Sequence, residues 1–596
     1  MIVLIAMHSL RQHSMSAGLT QFHHVLLLLF IAPIFLLLGS CTPTTKMLVQ
    51  GGERPATGEE HPPSSGPHVL IFGFDGAGYD QLMAAIKSGN APNLSGLLGA
   101  DLGNGIYEHA YSAPEAISIL PSTTMAAWSS IFSGEPPAYT GVTGNEWFAR
   151  EKMQFYAPAP VSIIDTADTT KMITEDLVGR SVMCPTLYDL AGVQSAVSLN
   201  AVYRGADVFT AIEPTSFVGI MSDFVAGKAL SQRGVKKAMY AQIDIESIPK
   251  IIDAFDNHGV PRLQTVYFPG IDLYTHLAPD PLPMEVNYIE KVTDPLVGTI
   301  LGEYRKRGLL DETYIMIVAD HGHTPVMHDE QHALDSQADD GPAPLMSRIG
   351  FRPRPFVLDP PANEQDYQVA FAYQGAIAYV YLADRSTCPN PGDKCDWKKA
   401  PRFKQDVLPA ARAFYRANQT GEGSPKLKGT LDLIFAREPR PPDKNAGPYR
   451  IFDGYKLVEI EDYLEDHPRP DLLQLNRRMR WLSAGPHGDR AGDILLLAKS
   501  GLNRPIEERY YFSGLYHSWH GSASEQDSHI PLIVACSKCS GNALQRLVDQ
   551  VARHRGPSQL DVTPLALTLL ESKISNPPVP SARPSKIQEV HPEPRR

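Results

Sequence analysis

At 596 residues and 65.4 kDa, with 43% hydrophobic, 20% charged and 8% aromatic residues, the chain has the composition of a folded globular protein and can bury a sizeable core. A net charge of −12 and a pI of about 5.9, with no long basic run, leave no electrostatic footprint for DNA or RNA, so no stable nucleic-acid partner is expected. A small phosphate-containing ligand stays compatible with this charge, because metal ions can supply positive charge locally.

The chain opens on an apolar segment, Val25 to Leu38, followed by Gly39-Ser40-Cys41. Small residues ahead of a cysteine resemble the lipobox of bacterial lipoproteins, so residues 1–40 are read as a signal peptide and excluded from the fold. The alternative is a signal anchor or an ordinary secretory signal, although the segment is shorter than the ~20 residues of a spanning helix. Diacylation at Cys41 would tether an exported protein of the periplasm or cell envelope to its membrane. Residues 41–67 are rich in Pro, Gly, Ser, Thr and Glu without hydrophobic period and read as a flexible tether. Export permits disulfides: Cys388 and Cys395 bracket a turn that suits a local bridge, while Cys536 and Cys539 form a small ring or stay reduced. Cys184 is left over and reads as a buried thiol rather than a nucleophile.

Further along, Val69–Phe74 and Tyr314–Ala319 are short, nearly continuous apolar runs, as expected of parallel strands covered on both faces. Asp80–Leu98, Asp244–Asn257 and Glu285–Arg307 carry helical spacing. This alternation predicts a three-layer α/β/α core with a mostly parallel central sheet over residues 68–340 and 489–574. Residues 341–488 break the rhythm with Pro-rich joints and a long strand-like run, Tyr367–Leu382, and read as an inserted cap or subdomain. Asp493–Leu497 reads as a return to the core sheet, and Ile530–Val534 as another strand. Residues 575–596, rich in Pro and charge, read as a disordered tail.

Three apolar runs end in an acidic residue, at Asp75, Asp272 and Asp320. His276 follows Asp272 by four residues, His321 follows Asp320 directly, and a late His520-Gly521 can complete the set. Between the first two runs lies Pro121-Ser122-Thr123-Thr124. In open α/β sheets, chemistry collects at the carboxyl ends of strands, so these distant residues are expected at one edge. A cluster of Asp, His and one hydroxyl has the make-up of a two-metal hydrolase site.

Phe72-Gly73-Phe74-Asp75-Gly76, the Pro-Ser-Thr-Thr stretch, Asp272-x-x-x-His276, Ala319-Asp320-His321-Gly322 and His520-Gly521-Ser522, in this order, resemble the alkaline phosphatase superfamily, closest to its type I phosphodiesterase and nucleotide pyrophosphatase branch. The resemblance implies that Asp75, Thr124, Asp320 and His321 hold one divalent metal and that Asp272, His276 and His520 hold the other. Such ligand sets suit zinc, and similar shells accept manganese or iron. It further implies that Thr124 is the nucleophile, immediately before a helix, and that Asn145 donates to a nonbridging phosphoryl oxygen. Ser122 or Thr123 is expected to cap that helix, Met125–Phe132.

Arg204 is expected to hold a substrate phosphate, in a context where some phosphate monoesterases of the superfamily carry a Lys-x-Arg pair; Val202 stands where the lysine would be. A second-shell or surface arginine is the alternative. His323, His328, His332 and His517 are read as surrounding rather than ligating histidines. The sequence therefore reads as an exported, lipid-anchored, two-metal phosphoric ester hydrolase acting on a small phosphate ester, a nucleotide or similar. The alternatives are a monoesterase using Arg204 and, from another class, an inactive binding lipoprotein. A sulfatase would need a Cys or Ser and an arginine that Thr124-Met125-Ala126-Ala127-Trp128 does not provide.

Overall fold

The computed structural model describes residues 52–55, 61–62, 64–163, 165–212, 237–440, 445–552 and 556–572. Residues 1–40, read as a signal peptide, Cys41 and the 575–596 stretch lie outside them. Val69–Phe74, with no polar side chain to satisfy, is fully buried at the centre of a ten-stranded sheet. Five neighbouring strands, Val208–Ala211, Ser195–Ser198, Leu263–Phe268, His68–Phe74 and Thr313–Ala319, run parallel. Leu532–Ala535 then joins antiparallel and leads to the short strands Ala110–Ser112, Ile106–Tyr107 and Asp101–Gly103. The parallel block thus forms one half of a mixed α/β sheet, with helices packed against it.

Register decides what this sheet can do. Phe74 pairs with Phe268 on one side and with Ala319 on the other. The residues that follow all three leave the same sheet edge. Gly73 permits the next step, because a Cβ there would lie 2.7 Å from the Trp128 ring on the helix Thr124–Ile131. That sheet edge is therefore closed from one side by the helix packed directly on the central strand.

Several elements differ from the sequence reading. Gly52–Pro55, inside the segment read as a tether, pairs antiparallel with Val208–Ala211 as the edge strand, and the His61 N–H donates to Asp207 at 2.7 Å. The run Tyr367–Leu382 is a hairpin, Val369–Tyr373 and Ile377–Leu382, turning at Gln374-Gly375-Ala376. Ile494–Ala498 does not return to the core sheet: it pairs antiparallel with Ile377–Leu382 and Leu431–Ala436 in a second, six-stranded antiparallel sheet. A fully buried apolar strand carries no mark of which sheet it enters. The two sheets share one contiguous apolar cluster that includes Leu70, Phe72 and Phe74 of the first and Phe371, Val380 and Leu496 of the second.

Cys388 pairs with Cys395 and Cys536 with Cys539, while Cys184 is free and half-buried, its thiol pushed up to about 11 chiefly by burial. No helix among the described residues is long and apolar enough to cross a membrane.

Glu146 ties the second sheet to the loop at Val161–Ile163. Its buried carboxylate accepts from the N–H groups of Val161, Ser162 and Ile163 at 2.6, 2.7 and 3.0 Å, from Ser162 Oγ at 2.5 Å and from the Tyr373 N–H at 3.1 Å. An amide cannot accept from all five donors. Glu146→Gln is expected to lower the unfolding free energy by about 3 kcal/mol, because buried donors left unpaired cost that order of energy. Urea unfolding monitored by tryptophan fluorescence measures it.

Candidate metal centre

Asp75 and Asp320 emerge side by side from paired strands. Gly76 and His321 donate their N–H groups to Asp320 Oδ1 at 2.9 and 3.0 Å, and Tyr267 donates its hydroxyl to Asp75 Oδ2. Asp75 Oδ1 and Asp320 Oδ2 are thereby left buried and unpartnered. They lie 3.6 and 3.2 Å from His321 Nε2, and Thr124 Oγ1 lies 3.4 Å from the same atom. His321 Nδ1 donates to the Gly322 carbonyl at 3.2 Å, which assigns the Nε2 lone pair to this cluster.

Asp272 sits in the first turn of the helix Gly270–Leu277, and His276, four residues on, shares its face. Asp272 Oδ1 is buried and unpartnered. His276, His323 and His520 approach it with Nε2 at 3.3, 3.1 and 3.7 Å. His276 Nδ1 donates to the Ser518 carbonyl and His520 Nδ1 to the Ser122 carbonyl, both at 2.8 Å, so both Nε2 atoms present lone pairs. Donors bound tetrahedrally at zinc distances stand about 3.3–3.4 Å apart, and the spacings of both clusters, 3.1–3.7 Å, bracket that value. Among the described residues three groups satisfy the geometry of a cation site: Asp75, Asp320 and His321; Asp272, His276 and His520; and Asp272, His321 and His323.

Buried oxygens that no group of the chain satisfies, facing imidazole lone pairs, have the donor chemistry of a cation site. Burial, with Asp320 and Asp272 nearby, raises the Asp75 carboxyl well above the usual range, and burial pushes Asp320 up to about 7. Burial also acts to raise Asp272, but His276 and His323 outweigh it and hold this carboxylate well below the usual range. Burial lowers His321 to about 3 and lowers His323 and His520 too.

Thr124 is the first residue of its helix, and Thr123, the cap residue, makes no side-chain capping bond. The cap comes instead from Asn145, whose Oδ1 accepts from the Met125 N–H at 3.0 Å, leaving Nδ2 as its free donor group beside Thr124. Gln374, at the tip of the second sheet's hairpin, accepts from the Asn145 N–H at 2.7 Å. The same tip meets the last ligand loop: Ala376 N–H donates to the His520 carbonyl at 2.9 Å, and a Cβ at Gly521, where φ is +108°, would lie 2.1 Å from the Gln374 carbonyl oxygen.

Arg204 lies elsewhere. Its guanidinium donates to Asp189 Oδ2 at 3.0 and 3.2 Å and to the carbonyls of Gly179, Val182 and Cys184, so its donors are spent on a loop anchor rather than offered to a phosphate. His517 stacks on His328 at 4.2 Å, and His332 pairs with Asp329 at 2.7 Å. His323 was read as a bystander, yet it stands against Asp272; its position two residues after His321 on the same loop was the signal for it.

An α/β sheet edge that gathers these carboxylates, imidazoles and one threonine defines a metal-dependent hydrolase of phosphoric esters. The family described as type I phosphodiesterase / nucleotide pyrophosphatase matches residues 69–391, more than half of the chain, and the chain belongs to it. The matched range holds every residue of the two clusters except His520. Among solved structures the chain is similar to murine ectonucleotide pyrophosphatase / phosphodiesterase 5, at 12% identity and a TM-score of 0.42 over 82% of this chain and 96% of that one. It is similar also to phosphonoacetate hydrolase from Sinorhizobium meliloti 1021 in complex with phosphonoformate, at 16% identity and a TM-score of 0.43 over 88% of this chain and 100% of that one. No curated protein matches it.

Cations entering this centre compete with protons on Asp75 and Asp320. With Asp320 raised to about 7, metal affinity is expected to climb as pH rises through 7, and binding to release more protons at pH 6 than at pH 8. Calorimetric titration of the metal-free protein with zinc, in buffers of different ionisation enthalpy, counts those protons. Equal release at the two pH values would contradict the assignment.

Proposed function

We propose that the protein is an exported two-metal phosphoric ester hydrolase of the phosphodiesterase or nucleotide pyrophosphatase type, acting through Thr124 and a phospho-threonine intermediate. The observation that carries this reading is the double convergence: Asp75, Asp320 and Thr124 around His321 Nε2, and three imidazoles around Asp272 Oδ1. Two divalent cations, zinc by the chemistry of the donors, would be held by Asp75, Thr124, Asp320 and His321 and by Asp272, His276 and His520; they supply the charge that acidifies the threonine hydroxyl and offsets the phosphoryl oxygens.

The chain's own residues do the rest. Thr124 Oγ attacks phosphorus as the bond to the leaving oxygen breaks, and water then attacks the phospho-threonine, releasing phosphate or phosphomonoester and restoring the hydroxyl. Position at the helix start gives Thr124 unpaired backbone N–H groups and the positive end of the helix dipole beside the anion. Asn145, with its carbonyl spent on the cap, turns its amide N–H groups to a nonbridging oxygen, where charge builds in the transition state. A small nucleotide-like ester fits the family, and the engagement of Arg204 by Asp189 argues against the monoesterase clamp.

Thr124→Ala is expected to lower turnover of bis-p-nitrophenyl phosphate and p-nitrophenyl phosphate at least about a thousandfold with the fold intact. Wild-type turnover in that variant would rule Thr124 out, and the ratio of the two substrates gives the diester preference.

For location, we propose a lipid-anchored periplasmic or cell-envelope protein. Gly39-Ser40-Cys41 supports it, and so do the two disulfides, which form in oxidising compartments. Cys41→Ser is expected to move the protein from the membrane fraction to the soluble one, while equal membrane recovery of both forms would remove the lipid.

A further inference from the structure

Arg478 lies on the helix Leu475–Ser483, in the middle region outside the catalytic sheet, and no part of it reaches solvent. Its hydrogen bonds go to no carboxylate. Nη1 donates to Ser528 Oγ at 2.7 Å and to the Leu473 carbonyl at 3.3 Å, and Nη2 donates to the Ile119 carbonyl and to Ser122 Oγ, both at 2.9 Å. Nε is buried without a partner. A buried guanidinium that hydrogen-bonds only to neutral groups, with the Asp527 carboxylate attracting it without a hydrogen bond, is costly to keep, so it calls for a reason beyond packing.

Its contacts supply one. Ile119 and Ser122 belong to the loop that delivers Thr124, and the Ser122 carbonyl is the acceptor that fixes His520 Nδ1. Having accepted from Arg478, Ser122 Oγ donates onward to the Ser522 carbonyl at 2.8 Å, two residues past His520. Ser528, the other acceptor, follows Asp527, whose carboxylate accepts from Ser522 N–H and Oγ at 2.9 and 2.6 Å and from Thr324 Oγ1 at 2.5 Å. The guanidinium fork therefore spans the nucleophile loop and the last ligand loop, and through Asp527 it reaches the strand that follows His323.

We infer that Arg478 is a positioning residue of the hydrolase site: it sets the Ser122 peptide so that Thr124 and the imidazole of His520 are held in one geometry. This inference rests on the two-metal reading above. The planar fork is essential to it. A lysine keeps the charge but cannot reach Ser528 Oγ and the Ile119–Ser122 pair at once.

The test uses the full chain loaded with zinc. Arg478→Lys is expected to keep the wild-type circular dichroism spectrum, to give up one of two zinc equivalents at about tenfold lower chelator, and to lose about tenfold in kcat on bis-p-nitrophenyl phosphate with KM within about twofold. Ser122→Ala, which keeps the carbonyl but loses the Oγ, should shift both readouts the same way and less. The double variant should be no worse than Arg478→Lys alone. Wild-type zinc retention and wild-type kcat in folded Arg478→Lys would overturn the inference, as would losses that merely track its thermal midpoint. If Arg478→Lys does not fold, unchanged zinc retention in Ser122→Ala overturns it. A wild-type protein that holds zinc yet cleaves no phosphoric ester would sink the hydrolase reading, and the chelator readout would still judge Arg478.

Discussion

Negative charge and lone pairs are driven together at one buried point, and every other feature near the site keeps them from moving apart. Two like unit charges about 4 Å apart repel by about 4 kcal/mol at an effective dielectric of 20. Asp75 and Asp320 answer that repulsion by holding their protons, and Asp272 answers it by leaning on His276 and His323. None of them can answer it by retreating. Asp75 and Asp320 begin where Phe74 and Ala319 are locked in the same rung of a parallel ladder, so separating the carboxylates would tear the sheet at its centre. Protons relieve that strain in part, and cations that displace them would offset it more fully.

The imidazoles are restrained just as firmly, by groups from outside their own elements. Ser518 serves two of them: its carbonyl accepts from His276 Nδ1 and its hydroxyl meets His323 Nδ1 at 3.1 Å. Ser122 serves His520 from across the site. Each tautomer is thus set by a neighbour that is itself fixed, and the Nε2 atoms are aimed before any ligand arrives. Affinity for a metal in such a centre comes largely from this preorganisation, since the ordering cost has been met in folding.

Much of this was legible in the sequence, for a physical reason. Strand ends in a parallel sheet share an edge, so apolar runs ending in Asp75, Asp272 and Asp320 had to converge, and the i, i+4 step to His276 had to share a helical face. What stayed illegible depended on tertiary choice. Ile494–Ala498 is buried on all sides and reads alike in either sheet. The turn at Gln374-Gly375 was hidden because apolar residues continue through both arms of the hairpin. Arg204 carried a plausible neighbourhood, but Asp189, fifteen residues earlier, is what it pairs with, and a sequence offers no distance between them. Arg478 gave no signal at all, being one of three arginines on its helix.

The middle region also turns out to be something other than a lid. A lid rests on few contacts and opens at modest cost, whereas this second sheet shares an apolar cluster with the catalytic one, accepts its anchor through Glu146 and inserts Gln374 between Asn145 and Gly521. Lifting it would expose that cluster, unpair the buried carboxylate of Glu146 and release Asn145 and His520 together. The cost is of the order of unfolding rather than of gating. Any influence of this region on the site must then act through the residues it holds, Asn145 and His520 among them.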